Sequence, residues 1–178
     1  MNFFQRFFGH LHTVNHHRRL VRKYCFKVGI GFQGMRHDLS KYSLTEFIPG
    51  VKYYIGTASP TQKERKVEGY SKAWMHHKGR NKHHHEYWTD YSDIKRKYVP
   101  IEMPIRYVKE MFCDRIAASK TYKKEKYNDS SPLEYFNAKR NKDVMHINTM
   151  NLLESWLVML SEKGEKETFK YIKNIKNK

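Results

Sequence analysis

From Phe7 onward, apolar side chains recur at Leu11, Val14, Val21, Cys25 and Val28, at intervals of three, four or seven residues. Positions so spaced share a face only on an α-helix, so this stretch supplies a long helix with one side committed to a core. Strand signals are scarce, because few runs alternate and few are rich in β-branched residues. The expectation is an all-α fold, a single helical domain over residues 1–178, which is the ordinary size of one domain. A mean hydropathy of -0.88 is low for such a core, but 13 Tyr, 10 Phe and 3 Trp bring much buriable area per side chain.

The first helix should stop near Gly29-Ile30-Gly31, and a second should run from about Asp38 to Phe47, closed by Pro49-Gly50. Val51 to Arg65, with Gly56 and Ser59-Pro60, reads as loop. Helical spacing resumes from about Val67 through Trp74 to Trp88, with Gly79 as the point where it can kink or break. A polar connector from Tyr91 to Pro100 leads to Pro104 and a helix through Val108, Met111, Phe112 and Ile116. Ser131-Pro132-Leu133-Glu134 has the form of a capping box. Final helices are expected from about Asp143 to Lys163, stopping at Gly164 and resuming as a lysine-rich tail.

Thirty-five Lys and Arg against 18 Asp and Glu leave a net charge of +17, a field that attracts phosphates, nucleic acid and acidic lipid. Two lone cysteines, Cys25 and Cys113, match neither a disulfide framework nor zinc-ribbon spacing, which points to a reducing compartment and a cytoplasmic location. No apolar run has the ~20 residues of a membrane span. Gln5, Arg6 and His10 interrupt the aromatic start before a secretory h-region can form. Phe3, Phe4, Phe7 and Phe8 beside basic residues suit either a membrane interface or docking of the first helix on the core.

The 11 histidines carry the chemistry. His16, His17, His37, His76, His77, His83, His84 and His85 lie in the first half of the chain, and imidazole with carboxylate makes a mixed N/O site for transition metals. His17, three residues after Val14 and four before Val21, faces inward, while His16 turns away. Tyr107, Met111, Asp114 and Ala118 share one face of the later helix. A buried Asp114 needs a partner, either Arg115, a lysine or a metal ion. In His37-Asp38-Leu39-Ser40-Lys41, the adjacent His and Asp can reach one ion, the two oxygens of Asp38 can bridge two, and Lys41 lies one turn on, facing a phosphate. The simpler alternative makes Asp38 a helix N-cap.

His17, then His37-Asp38, then Asp114 in a late helix follows the order of the HD superfamily of metal-dependent phosphohydrolases, which this chain resembles over about 100 residues. It is also similar to an uncharacterised family of small bacterial and phage proteins that share the segments His-Asp-Leu-Ser-Lys-Tyr-Ser and His-His-Lys-Gly-Arg-Asn-Lys-His-His. The HD resemblance implies a helical bundle with a metal between helices, held by His17, His37, Asp38 and Asp114, and hydrolysis of phosphate esters, often nucleotides. It also implies further histidines for a second ion. An unbroken helix would put Trp74, His77, Asn81, His84 and Trp88 on one face, with His77 and His84 as ligands. A break at Gly79 makes His76 and His83 equal choices, and the plainest alternative is a solvated basic patch.

The expected activity is therefore hydrolysis of a phosphorylated small molecule or nucleic acid with Mn, Fe, Co, Ni, Zn or Mg, in which Asp38, Lys41 and Arg80 serve catalysis, the latter two neutralising phosphate charge. Two other functions fit parts of the sequence. A non-catalytic nucleic-acid binder would use Tyr53, Tyr54, Arg65, Lys66, Arg80, Lys82, Arg96 and Lys97 but has no need of inward His and Asp; an HD-like di-iron oxygenase would keep the metals and change the reaction. Gly29-Ile30-Gly31-Phe32-Gln33-Gly34 matches GxGxxG, but no strand precedes it, so it reads as a helix C-cap and turn. There is no P-loop, HExxH or GxSxG motif.

Overall fold

The computed structural model describes residues 1–139 and 144–177. Among the described residues eight α-helices carry the fold: α1 (Phe3–Lys27), α2 (Gly31–Met35), α3 (Leu44–Lys52), α4 (Pro60–Glu68), α5 (Lys72–Arg80), α6 (Ile105–Lys123), α7 (Ser131–Lys139) and α8 (Ile147–Lys173). A small antiparallel hairpin, β1 (Thr89–Ser92) with β2 (Lys97–Pro100), pairs Thr89 with Pro100. The fold is all-α apart from this hairpin.

α1 opens with a reciprocal cap, Asn2 Oδ1 accepting from the Gln5 amide and Gln5 Oε1 from the Asn2 amide, both at 2.9 Å. Its inner stripe buries Val14, His17, Val21, Tyr24 and Cys25. It ends where Gly29 takes a left-handed φ of 80°, a conformation that costs glycine little. The Gly29–Gly34 segment is a cap and turn that also holds the single helical turn of α2. A Cβ at Gly34 would stand 2.3 Å from Cys25 Cβ, so α2 lies directly on α1.

The core forms where α1, α6 and α8 meet. Val21 and Val28, Val108, Phe112 and Ile116, and Leu153, Leu157, Leu160 and Ile172 are all fully buried, each contributing about 2 kcal/mol relative to exposure. α6 has two unlike faces. Val108, Phe112 and Ile116 look into this core, whereas Glu110 and Asp114, one turn apart, look the other way, Glu110 toward His37 and His83 and Asp114 toward His17 on α1.

Several local expectations change. In place of one helix from Asp38 to Phe47 there is a 3-10 turn (Leu39–Tyr42) followed by α3, which runs through Pro49 to Lys52. Packing of α3 on α1 and α5 overrides the proline, and Gly50 is the point of closest approach, since a Cβ there would stand 2.2 Å from His10 Nε2. Ser59-Pro60 starts α4, with proline in the first turn where its missing N–H costs nothing. α5 passes Gly79 and ends at Asn81, whose side chain donates to the His77 carbonyl at 2.8 Å.

The Tyr91–Pro100 connector is mostly the hairpin. The Ser131 hydroxyl engages Asn128 and Lys123, and the Glu134 carboxylate engages Lys123, so the residues of the expected capping box turn to other partners. α8 breaks at Gly164, where φ is 74°. Asp143, the expected start of the last helices, lies outside the described residues. Among the described residues no helix is long and apolar enough to cross a membrane.

Candidate metal centre

His37 and Asp38 sit at the mouth of the 3-10 turn, and Asp38 holds a left-handed backbone (φ 53°, ψ 28°) that non-glycine residues seldom adopt. Arg18 on α1 fixes this corner: its Nε donates to the His37 carbonyl at 2.8 Å and its Nη2 to that of Met35 at 3.2 Å. The Asp38 side chain makes no cap hydrogen bond. It points inward, so the N-cap alternative fails.

The two oxygens of Asp38 face two different groups. On the Oδ2 side, His37 Nε2 lies at 3.2 Å and His17 Nε2 at 3.8 Å, and Asp114 Oδ1 is 2.9 Å from His17 Nε2 and 3.7 Å from His37 Nε2. On the Oδ1 side, His77 Nε2 lies at 3.3 Å and His83 Nε2 at 3.5 Å. In each of two sets, His17, His37, Asp38, Asp114 and Asp38, His77, His83, His84, every residue offers a ligand atom within 4.8 Å of the others. Donors sharing one ion at ~2.1 Å stand roughly 3.0–3.4 Å apart, and the measured separations bracket that range. These buried groups can hold a metal ion.

Unmet bonding capacity points the same way. The Nε2 atoms of His17, His37, His83 and His84 and the Oδ1 of Asp38 are buried and accept or donate no hydrogen bond. Buried polar atoms without partners are rare, and five gathered on the two sides of Asp38 fit cation binding. The opposite edges of three of the rings face carboxylates. His37 Nδ1 lies 2.8 Å and His83 Nδ1 3.3 Å from Glu110 Oε1, while His77 Nδ1 lies 2.7 Å from Glu46 Oε2. A carboxylate only accepts, so each Nδ1 donates. In the neutral imidazole, Nε2 then carries the lone pair a metal needs.

Without an ion, charge is balanced by protons. Burial opposes ionisation of Asp38, yet His37 and Lys41 outweigh it and hold the carboxyl well below its usual range. Asp114 is likewise held low, against burial, by His17. Burial would lower His37, but Asp38 and Glu110 raise it well above an ordinary histidine, and Asp38 with Glu46 raises His77. Burial pushes His17 down, and burial with His83 and His77 pushes His84 well down.

The centre opens on a cavity of about 580 Å³, walled by α1 (His10, Thr13, Val14, His17), Asp38 and Lys41, α3, the start of α4, α5 with Trp74 and His77, and α6 from Met111 to Lys123. Lys41 Nζ is 2.7 Å from Asp38 Oδ2. Arg80 is exposed at the end of α5 and is not among the cavity-lining residues. The arginines on the wall are Arg65 and Arg115, so the geometry does not support the phosphate-facing part expected of Arg80. His76 turns from the centre to Glu46 Oε1, at 2.7 Å.

His83 joins His84 because the chain leaves the helix at Asn81, which ends the expected continuous face. Glu110 and Glu46 were not expected. Glu110 stands one helical turn before Asp114, a spacing that could have revealed it, whereas Ser43-Leu44-Thr45-Glu46 resembles a capping box and hides Glu46 as a helix start.

The chain belongs to the DUF5662 family, a family of unknown function, whose model matches residues 6–159. No curated protein and no solved structure matches the chain.

Proposed function

We propose that this protein is a metal-dependent phosphohydrolase acting on a phosphate ester, its substrate a nucleotide or short oligonucleotide. The observation that carries the reading is Asp38, whose two oxygens face two separate sets of ligand atoms, most of them on buried residues and several without a hydrogen-bond partner, at one end of a cavity. His17, His37, Asp38 and Asp114 would hold one divalent ion, and Asp38, His77, His83 and His84 a second. Such ions, of the Mn, Fe, Co, Ni, Zn or Mg type, lower the pKa of water and polarise a phosphoryl oxygen.

The rest of the work falls to the chain. Lys41, Arg65, Arg115, Lys123 and Lys139 line the cavity and supply positive charge to bind and orient phosphate. Trp74, with Arg65 5.2 Å above its ring, and Tyr122 and Tyr135 add aromatic surface for a base. The volume lies within the ~300–1,000 Å³ of small-molecule sites. Glu110 and Glu46 fix the ring orientations from behind.

The test is elemental analysis of untagged protein purified without added metal, beside Asp38→Asn and Asp114→Ala, followed by a phosphatase screen with the ion found. One or two equivalents of metal, reduced in both variants, together with turnover of a phosphate ester, support the reading. Absence of metal after incubation with each ion overturns it in favour of a basic nucleic-acid binder. Bound iron with a coloured protein and no phosphatase activity overturns it in favour of oxygen chemistry.

A further inference from the structure

We infer that the outward face of α1 is a docking surface for an anionic membrane, with the helix lying flat on the lipid headgroups. The inference is independent of the metal centre. At ~100° per residue, Phe4, Phe8, Asn15, Arg19, Arg22 and Phe26 fall within about 60° of one another, opposite the buried stripe of Val14, His17 and Val21. All six are exposed. Phe4 is 69% exposed, Phe8 62% and Phe26 56%, on a helix otherwise docked by its inner face.

Helices that face water usually intersperse acidic and basic side chains. This one has no Asp or Glu, nor does any position from Met1 to His37. Within α1, Arg6, Arg18, Arg19, Arg22, Lys23 and Lys27 are all cationic. Glu165, which lies 3.9 Å from Lys27 Nζ at its end, is engaged by Lys120.

Aromatic rings at both ends of a face about 33 Å long, with cations between them, match a bilayer surface. Phenylalanine enters the headgroup boundary, and each cation close to anionic lipid adds electrostatic attraction. The convex helix offers no groove to track a nucleic-acid strand. Phe7 is turned inward against Phe47, with ring centroids 5.3 Å apart, so the exposure of Phe4 and Phe8 does not come from fraying of the helix end.

The experiment is co-sedimentation of the full-length protein with vesicles of phosphatidylcholine alone or with about a third phosphatidylglycerol, at low and high salt. Variants are Phe4→Ser with Phe8→Ser, Arg19→Glu with Arg22→Glu, and, at the hairpin, Lys95→Glu with Lys97→Glu, which removes the same charge elsewhere; thermal melts confirm that each is folded. Binding is expected to the anionic vesicles only, to weaken with salt, to fall about tenfold in both α1 variants, and to change less than about twofold in the hairpin variant. The inference is overturned if the protein ignores anionic vesicles or if the hairpin variant loses as much as the arginine variant. It is also overturned if the phenylalanine variant instead abolishes self-association in lipid-free sedimentation velocity, or binding to an oligonucleotide.

Discussion

Glu110 Oε1 lies 2.8 Å from His37 Nδ1, on the edge of the ring opposite Asp38. The same oxygen stands 3.3 Å from His83 Nδ1, so one carboxylate on α6 orients an imidazole from each of the two ligand sets. Gln33 donates to its other oxygen, and against the opposing effect of burial the two histidines hold the carboxyl down to about 2. Glu110→Leu should cost ~10–100-fold in metal affinity, the usual effect of removing a carboxylate behind a ligand histidine. Glu110→Gln, whose amide oxygen still accepts, should lose less. Isothermal titration with the ion found by elemental analysis checks both, and an unchanged affinity in Glu110→Leu refutes the orienting role.

Asp38 is the residue on which both sets depend. Asn tolerates the left-handed backbone at this position better than Ala does, so Asp38→Asn tests the charge without also straining the chain. Bound metal should drop to a small fraction of wild type while the far-ultraviolet circular dichroism is unchanged. Loss of one equivalent with retention of the other would show that Asp38 serves a single ion.

The inner stripe of α1 made His17 legible in the sequence, the adjacency of His37 and Asp38 made the pair stand out, and the face shared with Tyr107 and Met111 singled out Asp114. The structure brings these four together. What could not be read was set by tertiary contacts. The end of α5 depends on Asn81, which bonds to the His77 carbonyl and to Ser40 Oγ across the cavity edge, and no local pattern distinguishes that stop from one at Gly79. Pro49 inside α3 reflects helix packing against α1 and α5. The hairpin from Thr89 to Pro100 is almost wholly exposed, so it lacks the alternating burial that marks a strand.

Metal binding should release protons. Against the opposing effect of burial, carboxylate neighbours raise His37 and His77, so both hold a proton more tightly than a free imidazole in the metal-free protein, whereas a ligand imidazole must be neutral. Apparent affinity should rise with pH as these groups deprotonate, with protons released on binding. Stability runs the other way in the metal-free state: what a raised histidine contributes is complete below about 6.5 and is lost as pH climbs through its folded value. Titrations in buffers of differing ionisation enthalpy measure the proton count, and a count of zero contradicts the protonated state.

His10 has the opposite sign. Burial, helped by Lys41, lowers it to about 4, and its ring is wedged between Gly50, Phe47 and Tyr54. An unfolded histidine takes its proton near 6.5, so stability present above that value should be lost as pH falls toward 4, by about 2–3 kcal/mol in all. His10→Gln removes the titrating group and should flatten this part of the profile. Denaturant unfolding of both proteins across that range decides it, and parallel profiles would assign the acid sensitivity elsewhere.

Lys109 is the fully buried ammonium of α6. Its Nζ donates to the Val28 carbonyl at 3.3 Å, just past the end of α1, and to the Ile175 carbonyl at 2.7 Å, just past the end of α8. Carbonyls at helix C-termini lack partners within the helix and carry partial negative charge, so one cation ties two helix ends to the middle helix of the core. Burial lowers its pKa, yet the two carbonyls still favour the donor. Lys109→Met keeps the volume and strands both acceptors, which should destabilise the fold by about 2–3 kcal/mol. Because α1 and α6 carry His17 and Asp114, the same variant should bind metal more weakly in proportion to its population of loosened helices. A melting temperature equal to wild type would mean that packing alone holds the two helix ends.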